Sequence, residues 1–225
     1  MDLADWTPRP VPPRAPIDGR YVRLEPLGPD HADTLFYAAA APGADDRFRW
    51  LPERPQDRAA FDAWLARAVP STDPLFFAVI DKTTGRAEGR QAIMRIDAAN
   101  GVAEIGNIMW GPALQRTRMA TEALYLTAAC VFDLGYRRFE WKCNALNQPS
   151  RRAAERFGFA FEGVFRQHMV VKGRNRDTAW YGMTDGDWQR IRPVYDAWLS
   201  PENFDAAGRQ RRPLRLAPAA PAASA

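Results

Sequence analysis

Between Ala103 and Phe159 the chain sets polar and turn-forming residues at the ends of apolar runs. The run Ala103-Glu104-Ile105-Gly106-Asn107-Ile108-Met109-Trp110 reads as a strand and ends in Gly111-Pro112. A polar turn, Gln115-Arg116-Thr117-Arg118-Met119-Ala120, opens directly into an apolar helix. The first backbone N–H groups of a helix have no partner within it, and the helix dipole there favours anions. A strand–turn–helix junction of this kind is therefore a natural cradle for a pyrophosphate. Arg118 could add a cation for a phosphate oxygen. Downstream come a second strand, Phe139–Cys143, and the segment Asn147-Gln148-Pro149-Ser150, which leads to Arg156-Phe157-Gly158-Phe159. Asn147 and Ser150 are residue types that favour turns and helix N-caps. Glu104 has a solvent-facing reading as one member of an alternating strand, and His168 reads as a satisfied or solvent-facing histidine with base chemistry open to it.

The elements that must hold these groups alternate along the chain. Tyr21–Leu27 alternates apolar with polar residues as a half-buried strand does. Asp30 can cap a helix carrying Ala32, Leu35, Phe36 and Ala39, and a second helix spans Ala59–Val69 with Phe61, Trp64, Leu65 and Ala68 at helical spacing. Leu75–Ile80 reads as a buried strand whose turn, Asp81–Gly85, leads into a hairpin partner ending near Ile96. Asn100-Gly101 marks a turn before the strand bearing Glu104. The predicted order is β-α-α-β-β-β-α-β-α-β-β, with a last helical stretch near Asp185–Trp198 kinked or broken at Pro193. Strand runs followed by a βαβ unit predict an α/β (α+β) fold, a mixed sheet with helices on its faces. Residues 1–18 hold Pro8, Pro10, Pro12, Pro13 and Pro16 and read as an extended arm. Residues 19–208 form one domain, and the Arg/Ala/Pro tail from 209 to 225 reads as disordered.

Composition narrows the field without choosing within it. A chain of 225 residues with 46% hydrophobic content can bury one substantial core and is short for two full domains. No apolar run approaches the roughly 20 residues of a membrane span, and the N-terminus lacks the basic and apolar stretches of a secretory signal, so a cytoplasmic location is expected. Cys130 and Cys143 sit in apolar contexts and read as buried, reduced thiols, with neither disulfide nor metal expected. The net charge of +4 suits a polyanionic coenzyme, a nucleic acid or simple solubility alike, and only Lys82, Lys142 and Lys172 are lysines.

In order and spacing these features resemble the GNAT superfamily of N-acetyltransferases, in particular the branch of ribosomal-protein and other N-terminal acetyltransferases. That family's central motif reads Gln/Arg-x-x-Gly-x-Gly/Ala at the start of a long helix. Gln115 matches its first position and Ala120 its last, while Arg118 stands where the first glycine usually lies. The likeness runs element by element from about Tyr21 to about Trp188. It implies a mixed, mostly antiparallel sheet in which two central parallel strands splay apart, with acetyl-CoA in the gap. It implies that Ile108, Met109 and Trp110 offer backbone groups to the pantetheine, and that the turn through Gln115, Arg116, Thr117, Arg118, Met119 and Ala120 holds the pyrophosphate. Asn147 matches a polar position near the pantetheine or thioester, and Ser150 a small polar position opening the next helix.

The chemistry implied is acetyl transfer to an amine, at a protein N-terminus or on a small molecule, by direct transfer in a ternary complex. Glu104 matches the position of a general base acting through water, with Glu140 and Glu162 in reserve. The tyrosine that many relatives use as general acid is replaced by Ala154, which leaves either the Ser150 hydroxyl or no dedicated acid. Trp50, Phe61 and Trp64 fall in the region that walls the acceptor in relatives, or in the core. The charged stretch Lys172–Thr178 reads as a hairpin loop, with binding of a carboxylate or peptide open to it. A homodimer would fit the family. Two other functions remain in view: a non-catalytic acyl-CoA-binding or regulatory protein, motivated by Arg118 and Ala154, and an RNA- or ribosome-associated protein using the arginine-rich surface.

Overall fold

The structure, a computed structural model, describes residues 3–53 and 57–216. Strands β1 (Ile17–Asp18) and β2 (Val22–Pro26) precede three helices, α1 (Ala32–Ala40), α2 (Ala44–Phe48) and α3 (Arg58–Ala68). Then follow β3 (Leu75–Asp81), β4 (Ala87–Asp97), β5 (Val102–Trp110), α4 (Arg118–Asp133), β6 (Arg138–Asn144), α5 (Gln148–Arg156), β7 (Ala160–Val171), β8 (Arg174–Thr184) and α6 (Asp185–Leu199). The eight strands form one sheet in the order β1-β2-β3-β4-β5-β6-β8-β7. Among the described residues only the β5–β6 pair is parallel, because the crossover helix α4 separates those strands, whereas the others follow turns or reversals.

Both faces of the sheet centre are covered, and the sequence of β3 shows why. Leu75, Phe77 and Val79 enter a core beneath α4 and α6, while Phe76, Ala78 and Ile80 enter a second core beneath α1 and α3. A strand buried on both sides must be apolar throughout, which is the composition of Leu75–Ile80. The long helix α4 is tied to the other end of the sheet by Glu122. Its carboxylate, 3% exposed as a residue, accepts the backbone N–H groups of Arg20, Tyr21 and Val22 at 2.8, 2.6 and 2.7 Å.

Three local expectations change. The Asp30 expected as a cap lies in a 3₁₀ turn, Pro29–His31, and no side chain caps α1. No break occurs at Pro193, since α6 runs through it to Leu199. Burial of Trp188, Ile191, Tyr195 and Trp198 along one face of the helix offsets the lost backbone hydrogen bond. The N-terminal arm is extended, as its prolines require, and is docked: Trp6 Nε1 donates to Ala99 O at 2.7 Å, and Arg14 donates to Leu27 O at 2.9 Å. At the other end, residues 209–216 are not loose. Trp198 Nε1 donates to Gln210, Asn203 Nδ2 donates to Arg212 O at 3.2 Å, and Leu214 is 9% exposed. The rest of the tail read as disordered, 217–225, lies outside the described residues.

Candidate active site

The parallel register of β5 on β6 runs from Val102↔Arg138 to Ile105↔Trp141 and stops there. Beyond it β5 continues to Trp110 paired only with β4, and β6 continues to Asn144 paired only with β8. The cause is local. Asn107 takes φ 52°, and the β4–β5 register shifts between Arg90 and Ala92, so an extra stretch of β5 bulges away from β6. Arg90, 2% exposed, holds the bulge by donating to Asn107 O at 2.8 Å, and its guanidinium is pressed over Trp64 at 4.3 Å and paired with Glu53. Burial pulls Arg90 down to about 9, which still leaves it protonated at neutral pH. The open edge of β5 thus carries Ile108, Met109 and Trp110. Met109 points into the core beneath α1, while Ile108 and Trp110 pack towards α4.

At the same end of the sheet α4 begins. Thr117 is its N-cap, accepting the Ala120 N–H at 3.5 Å and donating to Leu114 O at 2.7 Å. Among the described residues, the N–H groups of Arg118 and Met119 meet no protein acceptor, as expected of a helix start. The turn's one left-handed residue is Arg116, at φ 60°. Arg118 stands in the first helical position and needs no positive φ, so a side chain is tolerated where the motif has glycine. Its guanidinium stacks over Tyr21 at 4.2 Å and faces Phe204 at 5.1 Å. Gln115 is turned back on the strand, donating to Trp110 O at 2.7 Å, and Ala120 is buried at 3%.

Asn147 caps α5, its side chain accepting the Ser150 N–H at 3.2 Å. Ser150 Oγ accepts the Trp141 indole N–H at 2.9 Å and also hydrogen-bonds the Cys143 thiol, whose pKa is raised by burial against that contact. Trp110, Trp141 and Phe157 meet edge to face or tilted at 6.2–6.3 Å and form an aromatic floor on this side of the gap. Ala154, where relatives place tyrosine, is wholly buried and offers no hydroxyl.

Side chains alternate across the sheet, so Glu104 and Ser150 lie on opposite sides of the splay. Trp141 carries Ser150 on the α4 face, whereas Glu104 shares the other face with Glu140 and Lys142. Glu104 is 5% exposed. Its Oε2 lies 3.0 Å from Lys142 Nζ and 3.5 Å from Arg95 Nε. Lys142 thus lies at hydrogen-bonding distance of this buried carboxylate, and Arg95 at the longer distance of an ion pair. Burial raises the Glu104 pKa above the ordinary carboxylate value, opposed first by Lys142 and then by Arg95. Glu140 shows the reverse balance. Burial again pushes upward, but hydrogen bonds from Lys142 and Arg138 together outweigh it and hold the carboxyl below its usual value. Glu162 is engaged by Arg138 at 2.5 and 2.7 Å. Glu104 lies one residue before the end of the parallel register, and burial raises its pKa where hydrogen bonds lower that of Glu140.

Sequence reasoning passed over Lys142, which bridges Glu104 and Glu140 and lies 3.8 Å over the Trp180 ring. The signal was present: Glu140 and Lys142 are two apart on a strand and so share a face. His168 lies on β7 with Nδ1 3.0 Å from Thr178 Oγ1, beside Phe165 and Trp180. Phe61 belongs to the core beneath α1, with Trp64 packed against it. Trp50 instead lines a cleft of roughly 470 Å³ together with Arg49, Asn144, Leu146 and the β7–β8 hairpin residues Val171, Lys172 and Arg174–Arg176.

The fold and the sequence both have counterparts among known proteins. The family model described as the acetyltransferase (GNAT) domain matches residues 22–160. A GCN5-related N-acetyltransferase from Brucella melitensis is 60% identical, with 94% of this chain and 97% of that one covered and a TM-score of 0.92. A protein from Chromobacterium violaceum ATCC 12472 assigned to the GNAT family is 44% identical over 84% of this chain and 96% of its own, with a TM-score of 0.78. The microcin C7 self-immunity acetyltransferase MccE, solved with acetyl-CoA and AMP, shares the fold at 20% identity and a TM-score of 0.63, with 74% and 93% of the two chains covered. No curated protein matches. On the matched domain and on the identity to these structures, the chain belongs to the GNAT family of acetyltransferases.

Proposed function

We propose that the protein transfers the acetyl group of acetyl-CoA to a primary amine, directly, within a ternary complex. The observation that carries this reading is the end of the β5–β6 pairing at Ile105↔Trp141, with the start of α4 and the Glu104 carboxylate both beside the opening. The residues fit the coenzyme. The unpaired edge of β5 at Ile108–Trp110 can take amide hydrogen bonds as a sheet edge takes an added strand. The free N–H groups of Arg118 and Met119, with the cations of Arg116 and Arg118, suit a pyrophosphate.

Bound there, acetyl-CoA supplies an activated acyl carbon and a thiol leaving group. The chain's own residues supply position and proton movement. Glu104, whose charge Lys142 and Arg95 favour against the effect of burial, accepts the proton that an ammonium acceptor must lose, directly or through one water. A carbon–nitrogen bond forms as the carbon–sulfur bond breaks, and the departing sulfur gains a proton from Ser150 or from water. Ser150 keeps an O–H to give because its oxygen already accepts from Trp141, although that proton must turn away from Cys143. Fixing a neutral amine against the acyl carbon accounts for much of the acceleration.

Initial rates of thiol release, with acetyl-CoA and amine varied together, test the reading. Intersecting double-reciprocal lines are expected of a ternary complex. Parallel lines, or an acetylated enzyme isolated without acceptor, would refute direct transfer.

A further inference from the structure

The cleft of roughly 470 Å³ at the open end of the sheet is walled by Arg49, Lys172, Arg174 and Arg176, and among the described residues no carboxylate lines it. It contains none of the residues 115–120 of the α4 turn, so it is not the pyrophosphate cradle. Its floor continues the face that bears Glu104. Asn144 follows Lys142 by two residues on β6 and pairs with Thr178, and Arg176 follows the same alternation on β8 through Thr178 to Trp180. Arg176 is near enough to Glu104 for that carboxylate to act on its titration, against a larger effect of burial.

Some arginines elsewhere are matched with acids, as Arg58 with Asp33 and Asp62, Arg138 with Glu140 and Glu162, and Arg192 with Asp133, while others, such as Arg118 and Arg156, make only neutral contacts. What sets the cleft apart is that three arginines without an acidic partner line one concave site. Among the described residues no carboxylate forms an ion pair with Arg49, Arg174 or Arg176. Arg49 rests 5.0 Å over the Trp50 ring, Arg176 Nε donates to Thr178 Oγ1 at 3.2 Å, and Lys172 Nζ donates to Phe48 O at 2.8 Å. The contacts of Arg49 and Arg176 aim those cations without neutralising them. The three arginine charges around one concave site repel each other and concentrate anions within it. A cleft of this volume is in the range that encloses a small ligand, of about 300–1,000 Å³.

We infer that the acceptor is an anionic amine: a primary amine carrying a carboxylate or phosphate, whose anion is held by Arg49, Arg174 and Arg176 while its amine faces Glu104. This rests on the acetyl-transfer reading above and adds the class of acceptor to it. The shared chemistry is an anion a few bonds from the amine, and either a small molecule or the N-terminus of an acidic peptide can present it.

The test is acetylation, by thiol release, of phosphoethanolamine, β-alanine, ethanolamine and ethylenediamine, and of tripeptides with Asp-Glu or Lys-Lys after an N-terminal Ser. In wild-type protein, kcat/KM for the anionic members is expected to exceed that of the neutral and cationic members by about 10–100-fold, shrinking as salt rises. If only phosphoethanolamine and β-alanine gain, the source is a small molecule; if only the acidic peptide gains, it is a protein N-terminus. Either result supports the inference. Arg49→Ala and Arg174→Ala, both at exposed positions, should raise KM for the anionic acceptor and collapse the ratio. Arg174→Glu should turn the preference towards ethylenediamine or the Lys-Lys peptide. Equal rates on all members, or variants that slow every acceptor alike, would overturn the inference and leave acetyl transfer standing. A weaker affinity of Arg174→Ala for acetyl-CoA in calorimetry would assign the cleft to the coenzyme and overturn it too. Acetyl-CoA binding with no acetylation of any amine would instead sink the reading on which it rests.

Discussion

Glu104 is where stability and chemistry pull apart. Its folded-state pKa is raised, so the folded protein binds that proton more tightly than the unfolded chain does. Ionising Glu104 therefore costs stability, beginning as pH rises through the unfolded carboxylate value and persisting above the folded one. Glu104→Gln should leave Tm at pH 7–8 unchanged or higher, because Lys142 keeps Glu140 as a partner, and this difference should vanish near pH 3. The same variant should lose about 10²–10⁴-fold in turnover near neutral pH, with the loss narrowing at high pH where free amine is abundant. A pH-independent loss, or a large fall in Tm with no change in rate, would assign Glu104 to structure alone. Glu140 has the opposite sign. Its pKa is depressed, so its contribution to stability is present at neutral pH and fades as pH falls through the folded value, and Glu140→Gln should lower Tm at pH 7 and not near pH 3. Glu104 could be picked out of the sequence through the family resemblance. Lys142 and Arg95, which set its charge, could not, because that pairing depends on the parallel register and on which face each strand residue takes.

At the scale of elements, one residue in a left-handed conformation opens the site. Asn107 at φ 52° creates the bulge, and asparagine tolerates that region better than most side chains. Asn107→Gly should therefore preserve acetyl-CoA affinity. Asn107→Val, which resists positive φ and favours regular pairing, should weaken that affinity by tenfold or more, as measured by calorimetry. Similar affinities for the two variants would show that the splay does not depend on this residue. The start of α4 must also stay fixed relative to β2, and Glu122 does this through three backbone hydrogen bonds. Glu122→Ala, which strands those donors, should cost about 3 kcal/mol or more. That corresponds to a fall in Tm of roughly 6–12 °C. The alternating and fully apolar strands were legible from residue pattern, because burial on one or both faces dictates it. The short helix Ala44–Phe48 and the continuation of α6 through Pro193 were not, since tertiary packing outweighs local propensity at both.

For the whole molecule, the crossover that makes β5 and β6 parallel follows from the strand–helix–strand alternation the sequence displays, whereas the order β6-β8-β7 is seen only in the structure. The basic cleft does not follow from that alternation either, because it joins the loop at Arg49 to a hairpin more than a hundred residues away and to the end of β6. Local patterns report neighbours along the chain, and a cleft assembled from three distant segments leaves no periodic trace. That division explains why the proposed coenzyme site could be suggested from one motif, whereas the proposed acceptor cleft came only from the folded structure. A ligand that binds the folded state alone must also stabilise it, by about 2.7 kcal/mol at a hundredfold excess over Kd. The measurement that bears most directly on the central claim is calorimetric titration of acetyl-CoA into the wild-type protein and into Asn107→Val. One site per chain with micromolar affinity, weakened at least tenfold in the variant, is the expected result. No binding to the wild-type protein would contradict the claim that the splay between β5 and β6 holds the coenzyme.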